Sequence, residues 1–361
     1  MTKQNSYPLS KLEISLIHDH LAKNLPFVWF KPAFETSVKV WLQKNDGFNS
    51  YNSKSKNKGF VFAPFDKIKP TLIFPDDQCT TLSVELWKAQ WSKIQSKKLS
   101  LSDQDLYENQ VSRIVEAIKR GDLNKVVLSR SVVYEISTMD YFSAFSVLAN
   151  SYPSVFTYAL YHPQIGFWMG ATPEQLVGVE GKNLDTVALA GTALWNSAGS
   201  FHWGEKEKTE QLLVVEDIRE VLSPFIKNWK NSTATTVQAG LLAHLKTDIN
   251  VELKEHCLNK VFSIAELLHP TAAVSGFPRS VALELLDQVE IHDREYYTGY
   301  LGPINEERSV LNLYVNLRCM KVEEGKAFLY AGGGITKDSI PFKEYEETEQ
   351  KLDTLRHILF S

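Results

Sequence analysis

The chain has 361 residues, 43% of them hydrophobic and 23% charged, and a formal net charge of -4. That length supports a large core, in two domains or in one, and the composition is that of a soluble globular protein. The acidic balance excludes a non-specific nucleic-acid binder, whose affinity rests on a basic surface.

The N-terminal stretch MTKQNSYPLSKLEISLIHDHL lacks the unbroken apolar run of a signal peptide, and no segment approaches the ~18 apolar residues of a membrane span. Short strands rich in aromatic and β-branched residues are expected at Phe27 to Phe30, Val38 to Leu42, Phe60 to Phe65 and Thr71 to Phe74. SYNSKSKNKG between them reads as a polar loop, and WSKIQSKKLSLSDQD as a connector into the second part. Ser102 suits an N-cap for a helix running to about Arg120, with Val111, Ile114, Val115 and Ile118 as its buried stripe and Gly121 closing it. KVVLSRSVVYEI, which opens on Lys125, reads as a strand. DYFSAFSVLANSY reads as a helix, and VFTYALYH and GFWMG as strands. GATPEQLVGVEG is a turn carrying Glu174. TVALAGTA is a buried strand ending in a Gly-Thr turn, and EKEKTEQLLVVEDIREVL is a helix with Leu213, Val214, Ile218 and Val221 or Leu222 inward. After AHLKTDI, helical SIAELLH and the turn PTAAVSGFP come two strands, LYVNLRCMKV with Arg318 near its end and FLYAGGGI. Pro341 to Leu359 is the last helix, with proline at its start, where a missing amide proton costs nothing. Elements alternate irregularly and no repeat is found, so the class is mixed α and β.

The last helix carries Glu344, Glu347, Thr348 and Lys351 at i, i+3, i+4 and i+7, hence on one face. Such Glu-to-Lys spacing is common on solvated helices. Just ahead of it, Gly332, Gly333 and Gly334 let backbone amides approach a ligand. Glu207 and Glu210 repeat the i, i+3 spacing on an earlier helix. Two acidic faces meeting across one site would share a divalent cation, and hard oxygen ligands suit magnesium. Arg318 and Lys351 suit a substrate carboxylate. Lys125, taken alone, is a solvated strand end, and Glu174 an ordinary turn residue. If burial lowers the lysine pKa and raises the glutamate, the pair suits base and acid roles. The set describes a metal-assisted enzyme for a small dicarboxylate. No GxxxxGK[ST], GxGxxG, GxSxG or HExxH motif is present, which removes the usual NTPase, dinucleotide, hydrolase and zincin readings. Cys79, Cys257 and Cys319 lie far apart without CxxC spacing, which fits a reducing cytoplasm.

The ordered motifs KVVLSR, GATPEQL, ALAGTA, EKEKTEQLLVVEDI, LLHPTAAVSGFP, VNLRCMK, YAGGGI and EYEETEQKL resemble the chorismate-utilising enzymes from about Val111 to the C-terminus. The resemblance implies one large α/β domain with a two-sheet core surrounded by helices. Residues 1–100 would form its variable half and 101–361 its chorismate-binding catalytic region. It further implies Mg2+, chorismate as the small-molecule partner, a cytoplasmic monomer, and Lys125 as the base that activates water. Ala190 stands where aminodeoxychorismate synthases carry a nucleophilic lysine, so water is the expected nucleophile and isochorismate the product. Glu174 is then the general acid, Glu210 and Glu347 the chief metal ligands, and Glu207 and Glu344 their neighbours. Arg318, Lys351, Tyr330, Gly332 and Gly333 would meet the enolpyruvyl carboxylate, with Gly191, Thr192 and His244 lining the pocket. Gln211 departs from the histidine many relatives carry. A salicylate synthase, which also eliminates pyruvate, a non-catalytic chorismate-binding relative, and a nucleotide-binding protein using AGGGI as a phosphate cradle are the alternatives. Menaquinone and siderophore synthesis both use isochorismate, and the motif style leans to menaquinone.

Overall fold

Strands covered on both faces read as near-continuous apolar runs, and FVWF and VFTYALYH are runs of that kind. The computed structural model describes residues 10–52, 57–99, 103–121, 123–195, 201–239 and 242–361. In chain order its elements begin with α1 (Lys11–Ala22), β1 (Phe27–Lys31), β2 (Ser37–Gln43), β3 (Lys58–Ala63), β4 (Leu72–Pro75), β5 (Cys79–Glu85) and β6 (Ser96–Lys98). There follow α2 (Asp103–Arg120), β7 (Lys125–Ile136), α3 (Tyr141–Ser151), β8 (Phe156–His162), β9 (Gly166–Thr172), β10 (Gln175–Glu180) and β11 (Asn183–Leu194). Next come α4 (Glu205–Leu222), β12 (Ile226–Asn231), β13 (Thr235–Ala239), β14 (Leu242–Leu253), α5 (Val261–Leu268), β15 (Gly276–Phe277) and α6 (Arg279–Val289). The chain closes with β16 (Tyr300–Asn305), β17 (Val310–Val315), β18 (Cys319–Glu323), β19 (Lys326–Ile335) and α7 (Pro341–Leu359).

The strands build two sheets. One runs β15-β7-β19-β18-β9-β8-β1-β2-β5 with β6 also on β7; the other runs β12-β14-β11-β10-β17-β16-β3-β4 with β13 also on β14. Val28, Phe30, Phe156, Tyr158 and Trp168 of the first sheet meet Phe60, Phe62, Phe74 and Leu301 of the second in a shared core. The alternate residues Phe27, Trp29, Phe167 and Met169 point the other way, against Phe145 and Leu148 of α3 and Leu352, Leu355 and Leu359 of α7. The outer face of the second sheet, with Val177, Val179, Ile249 and Val251, is covered by Val214, Ile218 and Leu222 of α4 and by Val261 and Phe262 of α5. Each such side chain fully withdrawn from water is worth ~1.5–3 kcal/mol. The architecture is therefore the expected mixed α and β fold with helices around two sheets.

The first hundred residues supply strands to both sheets, and α1, β5 and β6 there carried no clear signal in the sequence. α1 owes its start to Ser10, whose side chain and Glu13 form a capping box. The expected N-cap Ser102 and part of the SYNSKSKNKG loop lie outside the described residues. LYVNLRCMKV is not one strand: β17 ends at Val315 in one sheet and β18 starts at Cys319 in the other. Asn316 makes the break, accepting from Tyr158 Oη at 2.6 Å and donating to the Tyr296 carbonyl at 2.8 Å. A second switch lies between β9 and β10, at Pro173 and Glu174. The two switches are tied together, because the Val315 amide donates to the Glu174 carbonyl at 2.9 Å and Thr172 Oγ1 to the Val315 carbonyl at 2.6 Å. Among the described residues no helix is long and apolar enough to cross a membrane.

Candidate active site

The functional side chains gather where the sheets exchange strands. β7 begins at Lys125, paired with Phe277 of β15, and β19 brings its glycines alongside β7 with Gly334 opposite Val127. β11 and β14 slip register between Ala190 and Ala193, a bulge that re-aims the chain there. Gly191 sits in it at φ +71, a left-handed conformation that glycine adopts without strain. Around these points lies a cleft of about 690 Å³, open mouth included, walled by Lys125, Glu174, Gly191, Thr192, Glu210, His244, Arg318, Tyr330, Gly332, Glu347 and Lys351. Glu207 and Glu344 instead line an adjoining surface cleft that shares Thr192 and Glu347 with the first. Gly333 faces Tyr107 and Glu344, and it is Gly334 that the cavity wall uses in its place.

Lys125 is 1% exposed, so it is no solvated strand end. Burial pushes its ammonium below the usual lysine range, against the pull of Glu210 3.7 Å away. Glu174 is 4% exposed, and burial pushes its carboxyl up to about 8 although Lys125, Arg318 and Lys351 pull the other way. Desolvation favours the neutral form of both an acid and a base. The cavity thus holds a lysine biased to accept a proton and a carboxyl biased to keep one.

Arg318 stands at the strand switch with φ +49, and its Nη1 is buried without a hydrogen-bond partner. Its Nη2 lies 3.1 Å from His244 Nε2. Guanidinium only donates, so Nε2 must accept and the histidine proton sits on Nδ1. Nδ1 then donates to the Gly191 carbonyl at 2.8 Å. Burial, with Arg318 and Lys351 nearby, lowers the His244 pKa to about 3 and keeps this neutral tautomer. His244 therefore ties the β11 bulge to Arg318 with both ring nitrogens engaged. Lys351 Nζ donates to the Gly332 carbonyl at 2.7 Å and to Glu347 Oε1 at 2.6 Å.

Two of the four acids, Glu210 of α4 and Glu344 of α7, meet through a lysine that the sequence reading passed over. Lys206 Nζ lies 2.5 Å from Glu344 Oε1 and 3.7 Å from Glu210 Oε1. Its only local signal is that it stands four residues before Glu210, a common surface spacing. Among the described residues no three acidic, histidine or cysteine side chains are grouped to hold a metal as they stand. The donor set nevertheless fits a hard divalent cation. Glu210 and Glu344 both face the Lys206 ammonium, Glu347 acts electrostatically on each, and Glu344 Oε2 is buried with no hydrogen-bond partner. Burial and Glu347 together raise the Glu344 pKa. Burial would raise Glu347 as well, but Lys351 and Lys206 hold it below the usual range. Tyr297 and Thr298 also line the cavity, brought there by a turn after α6 that has no motif signal.

Residues 73–360 match the family model described as chorismate binding enzyme. The chain belongs to that family. A "Salicylate biosynthesis isochorismate synthase" of Pseudomonas aeruginosa is 31% identical over 276 residues, covering 72% of this chain but only 56% of that protein. "Isochorismate synthase EntC" of Escherichia coli K12 is 28% identical over 321 residues, 84% of this chain and 81% of that protein. Among solved structures, a putative 2,3-dihydroxybenzoate-specific isochorismate synthase, DhbC from Bacillus anthracis, superposes with a TM-score of 0.81 at 26% identity, covering 95% of this chain and 99% of that one.

Proposed function

We propose that the protein is a magnesium-dependent isochorismate synthase, which attaches a hydroxyl at C2 of chorismate and expels the C4 hydroxyl. The observation that carries this reading is the buried pair Lys125 and Glu174, shifted in opposite directions on the walls of one cavity. Neutral Lys125 accepts a proton from the water that bonds to C2. Both ring double bonds shift by one position, the C4–O bond breaks, and Glu174 donates its proton to the departing hydroxyl. One water enters and one leaves, and a proton passes back from Lys125 to Glu174 between turnovers. Ala190 at the cavity wall offers no amine to compete with water. The free Nη1 of Arg318, with Lys351, Tyr330 and the strand end at Gly332, receives the enolpyruvyl carboxylate. Glu210 and Glu347, with Glu207 and Glu344 beside them, would hold magnesium, which when bound supplies the positive charge that neutralises the ring carboxylate. Relatives named as a vibriobactin-specific isochorismate synthase and as the isochorismate synthase MenF match this chain, and menaquinone or siderophore synthesis would consume the product.

The test is chorismate turnover by the purified protein with and without magnesium, products separated by chromatography. Isochorismate in balance with residual chorismate, without pyruvate, is the expected result. Salicylate with stoichiometric pyruvate would make it a synthase that also eliminates. No product at all would remove the roles given to Lys125 and Glu174.

A further inference from the structure

The ammonium of Lys206 stands where a cation is wanted. It reaches across from α4 to Glu344 on α7 at 2.5 Å and to Glu210 on its own helix at 3.7 Å. Its side chain is 24% exposed, whereas those of Glu344 and Glu210 are 2% and 8% exposed. The lysine therefore touches the buried carboxylates from the solvent side, along the cleft lined by Thr192, Glu207, Glu344 and Glu347. Removing one partner from a buried ion pair leaves an uncompensated charge, which is strongly destabilising. A fold that keeps carboxylates in place for a divalent ion must hold them together when the ion is absent, and here the ammonium that bridges Glu210 of α4 to Glu344 of α7 does so. It leaves Glu344 Oε2 without a partner, so the bridge satisfies Glu344 only in part.

We infer that Lys206 is a displaceable placeholder: its ammonium holds the α4 and α7 carboxylates together in the metal-free protein and swings out into the adjoining cleft when a divalent cation enters. This rests on the magnesium-dependent reading above. Lys125 and Lys351 differ from Lys206 in this respect. Lys125 is enclosed at 2% side-chain exposure, and Lys351 is also anchored by the Gly332 carbonyl. Both line the main cleft rather than the adjoining one. Binding at this site is an exchange of one ammonium for one divalent cation, and it exposes an amine that was paired.

The experiment titrates the full-length protein with magnesium or manganese alone, without chorismate. Two readouts are taken: acylation of Lys206 by an amine-selective reagent, followed by peptide mass spectrometry, and metal affinity by calorimetry. Lys206 labelling is expected to rise at least several-fold on saturation with metal, while labelling of Lys351 does not. Lys206→Met is expected to bind manganese about 10-fold more tightly, since no ammonium must be evicted, and to lose thermal stability only when metal-free. Lys206→Arg, which keeps the charge but is bulkier, should weaken metal binding. Lys206 labelling that stays level or falls when wild-type protein binds metal would overturn the placeholder even if chorismate is turned over normally. Absence of metal binding together with absence of turnover would overturn the functional reading, and the placeholder with it.

Discussion

Glu174 offers the sharpest test of the chemistry. Its carboxyl pKa of about 8 makes it about nine-tenths protonated at pH 7 and about one-tenth protonated at pH 9. The acid role needs the protonated form. Activity should therefore fall as pH rises through about 8. The base role of Lys125 needs the neutral amine, whose pKa burial lowers, so activity should rise with pH through that lowered value. The profile of kcat/KM reports the free enzyme and should carry a limb near pH 8 that belongs to Glu174. Glu174→Gln replaces a neutral acid with a neutral amide of the same shape, so the fold should be little affected near pH 7. It cannot give up a proton. The expected loss is ~10²–10⁴ in kcat/KM, and the limb near pH 8 should vanish from what activity remains. Initial rates of isochorismate formation across pH 6 to 10, for both proteins, provide the assay. A limb near pH 8 that persists in Glu174→Gln, or a wild-type rate flat to pH 10, would refute the assignment.

Three further outcomes follow from the packing. A methyl group on Gly334 would lie 2.7 Å from Glu210 Oε2 and 3.0 Å from Lys125 Cε, so Gly334→Ala must displace both. A misplacement of that order is expected to cost ~10²-fold in rate with unchanged circular dichroism, and a wild-type rate would show that the cavity tolerates the shift. His244→Phe removes the acceptor 3.1 Å from Arg318; loss of a hydrogen bond to a charged group costs ~1.5–3 kcal/mol, so KM for chorismate should rise at least ~10-fold, more than kcat falls, and an unchanged KM would deny His244 its positioning role. Phe145 is fully buried between α3 and the first sheet, and Phe145→Ala should lower unfolding free energy by ~3–5 kcal/mol in denaturant titrations; a loss under ~1 kcal/mol would contradict the packing described.

Much of the site is written locally. The helix from Pro341 to Leu359, the strand that opens on Lys125 and the paired acidic spacings of α4 and α7 follow from short-range periodicity and capping, which act between neighbours in the chain. The order of these motifs along the chain carried the resemblance as well. What the sequence could not show is set by groups distant in sequence. Lys125 and Glu174 look like surface residues until two sheets close over them, and their shifted pKa values are created by that desolvation. LYVNLRCMKV has the apolar content of a single strand, yet Asn316 finds its partners in Tyr158 and Tyr296, and those contacts send the chain from one sheet to the other. Local propensity has no term for that. His244 and Lys206 make the same point. Each is an ordinary residue in its own segment, and each acquires its role from a partner on another element, Arg318 for one and Glu344 for the other. The sequence by itself determined which chemical groups the protein has and which helices and strands carry them. Only the tertiary structure decided which are deprived of water and which charges face one another, because desolvation and Coulombic pairing depend on distances through space rather than along the chain.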